Sequence, residues 1–308
     1  MRISEIFTLG KIQPDLDFVD VDDERDARLF IIPSALLLMK NNQWADECVL
    51  IIKSFFQELL NSLIVKDKSK AIDLLHPLLK EPNEVHLGLS PTNNGKTITI
   101  EDARVIINRL SRSRAIELGL VTELEDTALL IHGIADDKIS DMTAVLLREK
   151  LVQYTQSICK YYDIPIQRSI EKYEIWDPNG KQWKSSYFDI PVTGKSNMKD
   201  VILVPKRLVR LSLNYSYEGL YRDGILEYFK NQEILDPKSS LVRVIKSTGE
   251  KTVYMKDLKK KYPGKKSDIL DYIANNPELI KKYKTDVGIS PVLTDKEIME
   301  KINGAENV

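Results

Sequence analysis

The chain has 308 residues, enough to bury a sizeable core and to form two domains or one domain with a terminal appendage. At 43% hydrophobic and 30% charged residues it is not a disordered chain, and a net charge of −1 provides no global field toward nucleic acid or a membrane. Any polyanion contact must come from local charge. Cys48 and Cys159 both fall in apolar helical patterns, which predicts buried free thiols in a reducing compartment. His76, His86 and His132 are scattered with no cysteine close by, so no zinc-type spacing exists. Met1–Glu5 lacks an apolar signal core and no helix reads as a membrane span, so a cytoplasmic protein is expected.

Residues 1–30 hold four basic and eight acidic side chains, and 1–27 reads as a solvated acidic arm in preference to a partner-docking segment. Arg28–Pro33 is a short apolar strand stopped by proline. From Asn42 to Val65 the apolar positions Cys48, Ile51, Ile52, Phe55, Leu59 and Leu63 recur at three and four residues, predicting a long core-facing helix. Asp67 caps the next helix, which Pro77 interrupts. The loop Gly88–Lys96 has glycines and asparagines that would leave backbone N–H groups free for an anion, but it lacks phosphate-loop spacing and reads more simply as a surface turn. Thr99 and Asp102 make a capping-box start for a helix running to about Leu118, with Gly119 as its stop. Arg104, Asn108 and Arg112 align along that helix with Arg109 and Arg114 nearby, either a phosphate-gripping stripe or a face paired with Glu101, Glu117 or Glu123.

Ala128–Ile134 is a short apolar run that reads as a buried strand, although periodicity alone does not separate it from a buried helix. An acidic loop, Ala135–Asp141, follows. A helix is then expected from about Asp141 to Tyr162, burying Val145, Leu151, Val152, Tyr154, Ile158 and Tyr161 and turning Arg148, Glu149 and Lys150 outward. Between Tyr173 and Val209 the period changes: Tyr173–Asp177, Gln182–Lys184, Tyr187–Ile190 and Val201–Val204 read as strands, with Asp177-Pro178-Asn179-Gly180 as a tight turn. Residues 181–214 carry seven basic and two acidic side chains. Gly194-Lys195-Ser196 lacks the earlier glycine of a phosphate loop and reads as a plain loop. Residues 215–235 are helical, 241–256 form a hairpin around Ser247–Glu250, and 257–284 form short helices broken at Pro263-Gly264 and near Pro277. Residues 241–284 hold twelve basic and five acidic side chains, with Tyr254 and Tyr262 set among the lysines, a composition suited to phosphate backbones or to a solvated face. From about Val287 the chain reads as frayed or weakly helical.

Metal-dependent cleavage of nucleic acid needs carboxylates converging on Mg²⁺ and a cation near the attacked phosphate. Asp136, Asp137 and Asp141 can supply the first, with Asp177 or Asp189 from the strands, and Lys138 or Lys206 the second. The same aspartates can instead cap a helix. A familiar nuclease core places Glu, any residue, Lys on a strand, and no such copy is present; Asp189-Ile190-Pro191 has proline where lysine is required. No serine elbow, Cys–His neighbourhood or dinucleotide fingerprint offers another chemistry, and His132 in its apolar run reads as a core residue.

The stretch Gly133-Ile134-Ala135-Asp136-Asp137-Lys138-Ile139-Ser140-Asp141-Met142-Thr143, with Tyr154-Thr155, Leu29–Pro33 and Val204-Pro205-Lys206, resembles an uncharacterised bacterial protein family. The resemblance implies one coherent architecture over most of the chain and a place in defence against foreign nucleic acid; it transfers no catalytic residue. Ala135 stands where a second glycine is expected. The expected fold is α+β: a helical N-terminal half, a central mixed β-sheet or meander, and a small basic hairpin-plus-helices C-terminal lobe. The division is a main domain over 1–235, helical over about 28–165 and sheet-rich over about 170–235, and a lobe over 236–308. The expected function is a nucleic-acid-interacting protein with Mg²⁺-dependent nuclease activity. Asp137, Asp141 and Lys138 would be catalytic, Asp136, Asp137 and Asp141 would bind Mg²⁺, and Arg104, Arg109, Arg112, Lys206, Arg207, Lys259, Lys260 and Lys261 would contact DNA or RNA. The alternative is a non-catalytic interaction or scaffold subunit of a larger complex, with a capping role for the aspartates and a protein partner on the basic lobe.

Overall fold

The computed structural model describes residues 1–88, 99–131, 134, 136–194 and 198–303, and its class is α+β. Two compact units emerge: residues 1–112, 134–213 and 289–308 form the first, and 113–133 with 214–288 the second. The loop 89–96, His132 and Lys195-Ser196 lie outside the described residues.

In the first unit, helix α1 (Gln43–Ile64) starts where Asn42 accepts the Ala45 N–H at 3.0 Å, and its expected stripe is buried. Helix α2 (Lys68–Leu78) is capped by Asp67, which accepts from Lys70 N at 3.0 Å; Pro77 sits in its last turn. A proline there removes a donor only where the helix is about to end. Helix α3 (Ile100–Leu110) opens on the expected Thr99–Asp102 box. It stops eight residues short of the expected end: a break at Ser111–Ser113 precedes a separate one-turn helix, Arg114–Glu117, and Gly119 at φ +67° follows.

Helix α4 (Asp136–Tyr162) begins about five residues earlier than expected, so the acidic stretch from Asp136 onward is its first turns rather than a loop. Some of its side chains depart from the expected pattern, Lys150 among them, which is largely covered and pairs with Glu47. Arg148 is 2% exposed, because the Glu84 carboxylate, the Glu174 carbonyl and the Tyr173 ring lie against it, whereas Tyr161 at the helix end is 77% exposed.

The strands do not form one central sheet among the described residues; they occur as two-stranded antiparallel pairs. β1 (Phe30–Ile31) pairs β8 (Val209–Arg210), β2 (Gln167–Arg168) pairs β5 (Asp189–Ile190), β3 (Tyr173–Asp177) pairs β4 (Gln182–Ser186), and β6 (Val192–Thr193) pairs β7 (Lys199–Asp200). The expected strand Val201–Val204 is fully buried but has no ladder. Its amides go to scattered acceptors instead: Val201 N to Pro191 O, Ile202 N to Glu84 O and Leu203 N to Thr155 Oγ1. A buried N–H needs a partner, not a strand. On the β3–β4 hairpin Trp176 faces Trp183, and both rings pack on Phe55 of α1 at 5.1 and 5.6 Å. Cys48 on α1 and Cys159 on α4 are both buried free thiols.

The two chain ends also differ from expectation. Residues 1–27 are not a solvated arm: Ile3, Leu16 and Phe18 are fully buried, and Asp20 accepts from Ser4 N at 2.8 Å and Ser4 Oγ at 2.6 Å. Apolar residues alternating with the acids supply that burial. Near the other end, Asp295–Asn303 is a helix opened by a Thr294–Glu297 box and anchored by buried Ile298 and Ile302.

In the second unit the apolar run near 130 is a short helix, Asp126–Leu130, rather than a strand. Asp126 decides this locally. It accepts from Thr122 N and Glu123 N, both at 2.9 Å, and pairs with Lys284. The hairpin β9 (Val242–Val244) and β10 (Lys251–Val253) lies where expected, and Leu226 shares a core with Val253 and Leu258. The helices Met255–Lys261, Lys266–Asn275 and Glu278–Val287 are separated at the expected prolines. Gly264 is required at the first break, since a Cβ there would stand 2.6 Å from the Tyr221 ring.

Phe55→Ala would empty the contact between α1 and both tryptophans. Expected is a loss of about 3–5 kcal/mol, measured by urea unfolding followed through tryptophan fluorescence.

Candidate functional site

Three separated segments of the first unit meet around a pocket of about 180 Å³. α4 supplies Asp137 and Asp141, four residues apart and hence on one helix face. Their position in the first turns is favourable, because free N–H groups and the helix dipole there attract negative charge. The second wall is the segment 81–88, with Glu81 at its start and a 3₁₀ turn at Asn83–Val85. Asp26 supplies the third.

A parallel bridge between Ala27 and Leu87 sets Asp26 beside the second wall: Ala27 N donates to His86 O and Gly88 N to Ala27 O, both at 2.9 Å. Gly88 adopts φ +145°, a conformation that favours glycine, and a Cβ there would meet Asp26 Oδ2 at 3.9 Å, an ordinary contact. The first turns of α4 are fixed in turn by Ser140, whose Oγ accepts the Ile31 N–H of β1 at 2.9 Å.

Two of the four carboxylates around this small volume are shifted by their surroundings. Asp141 is pushed up to about 7, first by burial and then by Asp137 and Glu81, with Lys138 pulling the other way and Asp26 adding a lesser push. Asp26 is pushed up to about 6 by burial and then Glu81, opposed by Lys199. Asp26 Oδ1 is buried with no hydrogen-bond partner among the described residues. Such a group is stabilised by a proton or by a cation.

The three aspartates expected to act together do not. Asp136 Oδ2 accepts the Leu213 N–H at 3.1 Å, and Asp136 does not line the pocket. Asp177 pairs with Lys184 on the β3–β4 hairpin. Among the described residues, no group of three or more His, Cys, Asp or Glu side chains is set to hold a metal ion. Mg²⁺ does not demand one, since it is commonly bound through one or two carboxylates and retains several waters. Asp26 and Glu81 were not singled out from the sequence as site residues. Asp26 is one acid among many in its run, and Glu81 opens what reads as an ordinary Pro-Asn loop.

The sequence model of a domain of unknown function, DUF8370, matches residues 8–216. The chain belongs to this family. The DUF8370 region contains all four pocket carboxylates and ends before the lysine-rich stretch of the second unit. No curated protein and no solved structure matches the chain. No helix among the described residues is long and apolar enough to cross a membrane.

Of the basic residues expected to contact nucleic acid, Arg104, Arg109, Arg112, Lys206 and Arg207 lie in the DUF8370 region. Arg109, Arg112 and Arg207 are exposed; Arg104 pairs with Glu101 at 3.0 Å and Lys206 with Asp295 at 2.9 Å. In the second unit Lys259 and Lys260 are exposed, while Lys261 pairs with Glu233. Arg114 pairs with Asp271.

The Asp141 shift fixes the sign of a pH effect. Its folded-state value lies above the ordinary 3.8, so its contribution to stability is fully present below about pH 4 and is lost as the pH rises through about 7. Asp141→Asn is therefore expected to match the parent near pH 4 and to exceed it at pH 8, by on the order of 4 kcal/mol. Thermal unfolding of both proteins across that range checks it; a difference that does not change with pH contradicts it.

Proposed function

We propose that the acidic pocket holds a divalent cation of the Mg²⁺ class and that the protein acts on nucleic acid as a phosphodiesterase. The observation that carries this reading is the convergence of Asp26, Glu81, Asp137 and Asp141, from three segments, on one small pocket. The raised values of Asp26 and Asp141 describe carboxylates short of positive charge, which a cation would supply. Asp137 and Asp141 are the ligands of choice, on one rigid helix face, with Glu81 and Asp26 opposite. A bound Mg²⁺ would neutralise phosphate oxygens and ease deprotonation of water. The reaction is hydrolysis: a water oxygen bonds to phosphorus, the sugar oxygen leaves, and the water's proton ends on the leaving group.

Lys138, beside Asp141, is the cation available to the attacked phosphate. Exposed Arg109, Arg112 and Arg207 in one unit and Lys259 and Lys260 in the other are suited to backbone phosphates. A reducing, cytoplasmic setting fits two buried free cysteines. A role in defence against foreign nucleic acid rests on the family resemblance alone.

A second reading, a non-catalytic interaction subunit, draws on different observations. Asp136 is engaged by a backbone amide, and Arg104, Lys206 and Lys261 are matched by acids of their own unit. On that reading the basic faces dock an acidic protein.

Labelled DNA and RNA, incubated with Mg²⁺ or with chelator, separate the two. Cleavage is expected only with the metal, and Asp137→Asn or Asp141→Asn should abolish it while leaving binding intact. Cleavage surviving in both variants, or absent from the parent, removes the phosphodiesterase. Binding to either polymer should weaken steeply with salt, and Arg109→Ala with Arg112→Ala should lower the log–log slope by about 2. No salt-sensitive binding to either polymer points to a protein partner instead.

A further inference from the structure

Behind the acidic pocket lies an ion pair that none of its chemistry uses. Arg148 stands on α4 seven residues after Asp141 and eleven after Asp137, about two and three turns along the same face. Its Nε donates to Glu84 Oε1 at 2.7 Å and its Nη1 to the Glu174 carbonyl at 2.9 Å, with the guanidinium 5.0 Å from the Tyr173 ring centre. Both charged side chains are buried, at 3% and 7% exposure. Glu84 sits in the 3₁₀ turn three residues beyond Glu81, and its carbonyl accepts the Ile202 N–H at 2.7 Å.

We infer that the Glu84–Arg148 pair is the positioning device of the acidic pocket: it anchors the 81–88 segment to α4 and so holds Glu81 opposite Asp137 and Asp141. The functional meaning of this inference rests on the cation-site reading. The placement itself follows from opposing forces on one short segment. On the pocket side, Glu81 shares one small pocket with Asp137, Asp141 and Asp26, like charges that repel one another, with Lys138 and Lys199 as the nearby cations. On the inner side, one buried opposite-charge contact draws the same wall toward the helix that bears the aspartates. Buried pairs of this kind add little to stability compared with well-packed apolar groups, so registry is the more natural use of one placed here. Neither Glu84 nor Arg148 lines the pocket, and both act through Glu81.

The test is a double-mutant cycle read in two ways. The variants are Glu84→Gln, Glu84→Met with Arg148→Met (which leaves no unpaired buried charge), and each combined with Glu81→Gln. The first reading is hydrogen exchange without metal, at the Gly88 and Ile202 amides that tie down the wall, with the Phe55 amide on α1 as reference. Exchange at the wall is expected to rise at least about tenfold, a local opening of about 1.4 kcal/mol, while Phe55 is unchanged. The second is Mn²⁺ affinity by calorimetry. It should fall at least about tenfold when the pair is removed, and should fall no further when Glu81 has already been replaced. A wall as protected as in the parent, or affinity losses that add independently, overturns the inference. If the double methionine variant does not fold, Glu84→Gln alone carries both readings with the same criteria. A parent that binds no Mn²⁺ sinks the cation-site reading, while the exchange data still decide whether the pair holds the wall.

Discussion

A guanidinium that solvent barely reaches must find its counter-charge inside the protein, and much of the first unit is consistent with where Arg148 finds it. Through Glu84 it reaches the 81–88 segment, through the Glu174 carbonyl the β3–β4 hairpin, and beneath the Tyr173 ring it extends the contact sideways. Tyr173 continues the chain by donating to Asp200 at 2.8 Å, and Asp200 accepts the amides of Ile170 and Glu171. Pieces of chain far apart in sequence are thereby fastened to one helix. This matters in a unit whose strands, among the described residues, pair only two by two, so that no broad sheet of described strands fixes their relative register.

The pocket depends on that fastening. Carboxylates on the first turns of α4 are at ease with the helix dipole, but adding Glu81 and Asp26 makes a cluster that costs free energy unless a proton or cation joins it. The cost is local and the compensation is not: Ser140 holds β1, the Ala27–Leu87 bridge holds Asp26, and the buried pair holds Glu81. Active and binding sites are commonly built this way, with charges placed where stability alone would not put them.

Much of the helical framework was legible because its signals are local. Asn42, Asp67 and Thr99 cap as their identities predict, and the stripe of α1 is buried as its spacing predicts. The strands were less so: several are only two residues long, and Val201–Val204 has the burial of a strand while its amides reach scattered acceptors instead of one ladder. The apolar run at 128 was too short for its period to distinguish helix from strand, and Asp126 settled it through contacts to Thr122 and Glu123. Half of the pocket was visible, since Asp137 and Asp141 share a helix face. The other half came from segments more than fifty residues away, joined by a single backbone bridge that leaves no periodic trace. Arg148 misled because Arg148-Glu149-Lys150 reads as a solvated triplet, although its angle from Asp141 places it on the inner face.

The two cysteines acquire a use from where they lie. Cys48 and Cys159 occupy the inner faces of the two longest helices, and burial pushes their thiols up to about 12 and about 11, so neither supplies appreciable thiolate while the fold is closed. A maleimide or disulfide reagent can reach them only when α1 or α4 lifts away from its neighbours. The chain thus contains its own pair of chemical clocks, one in each helix, whose ticking would time how often each leaves the core.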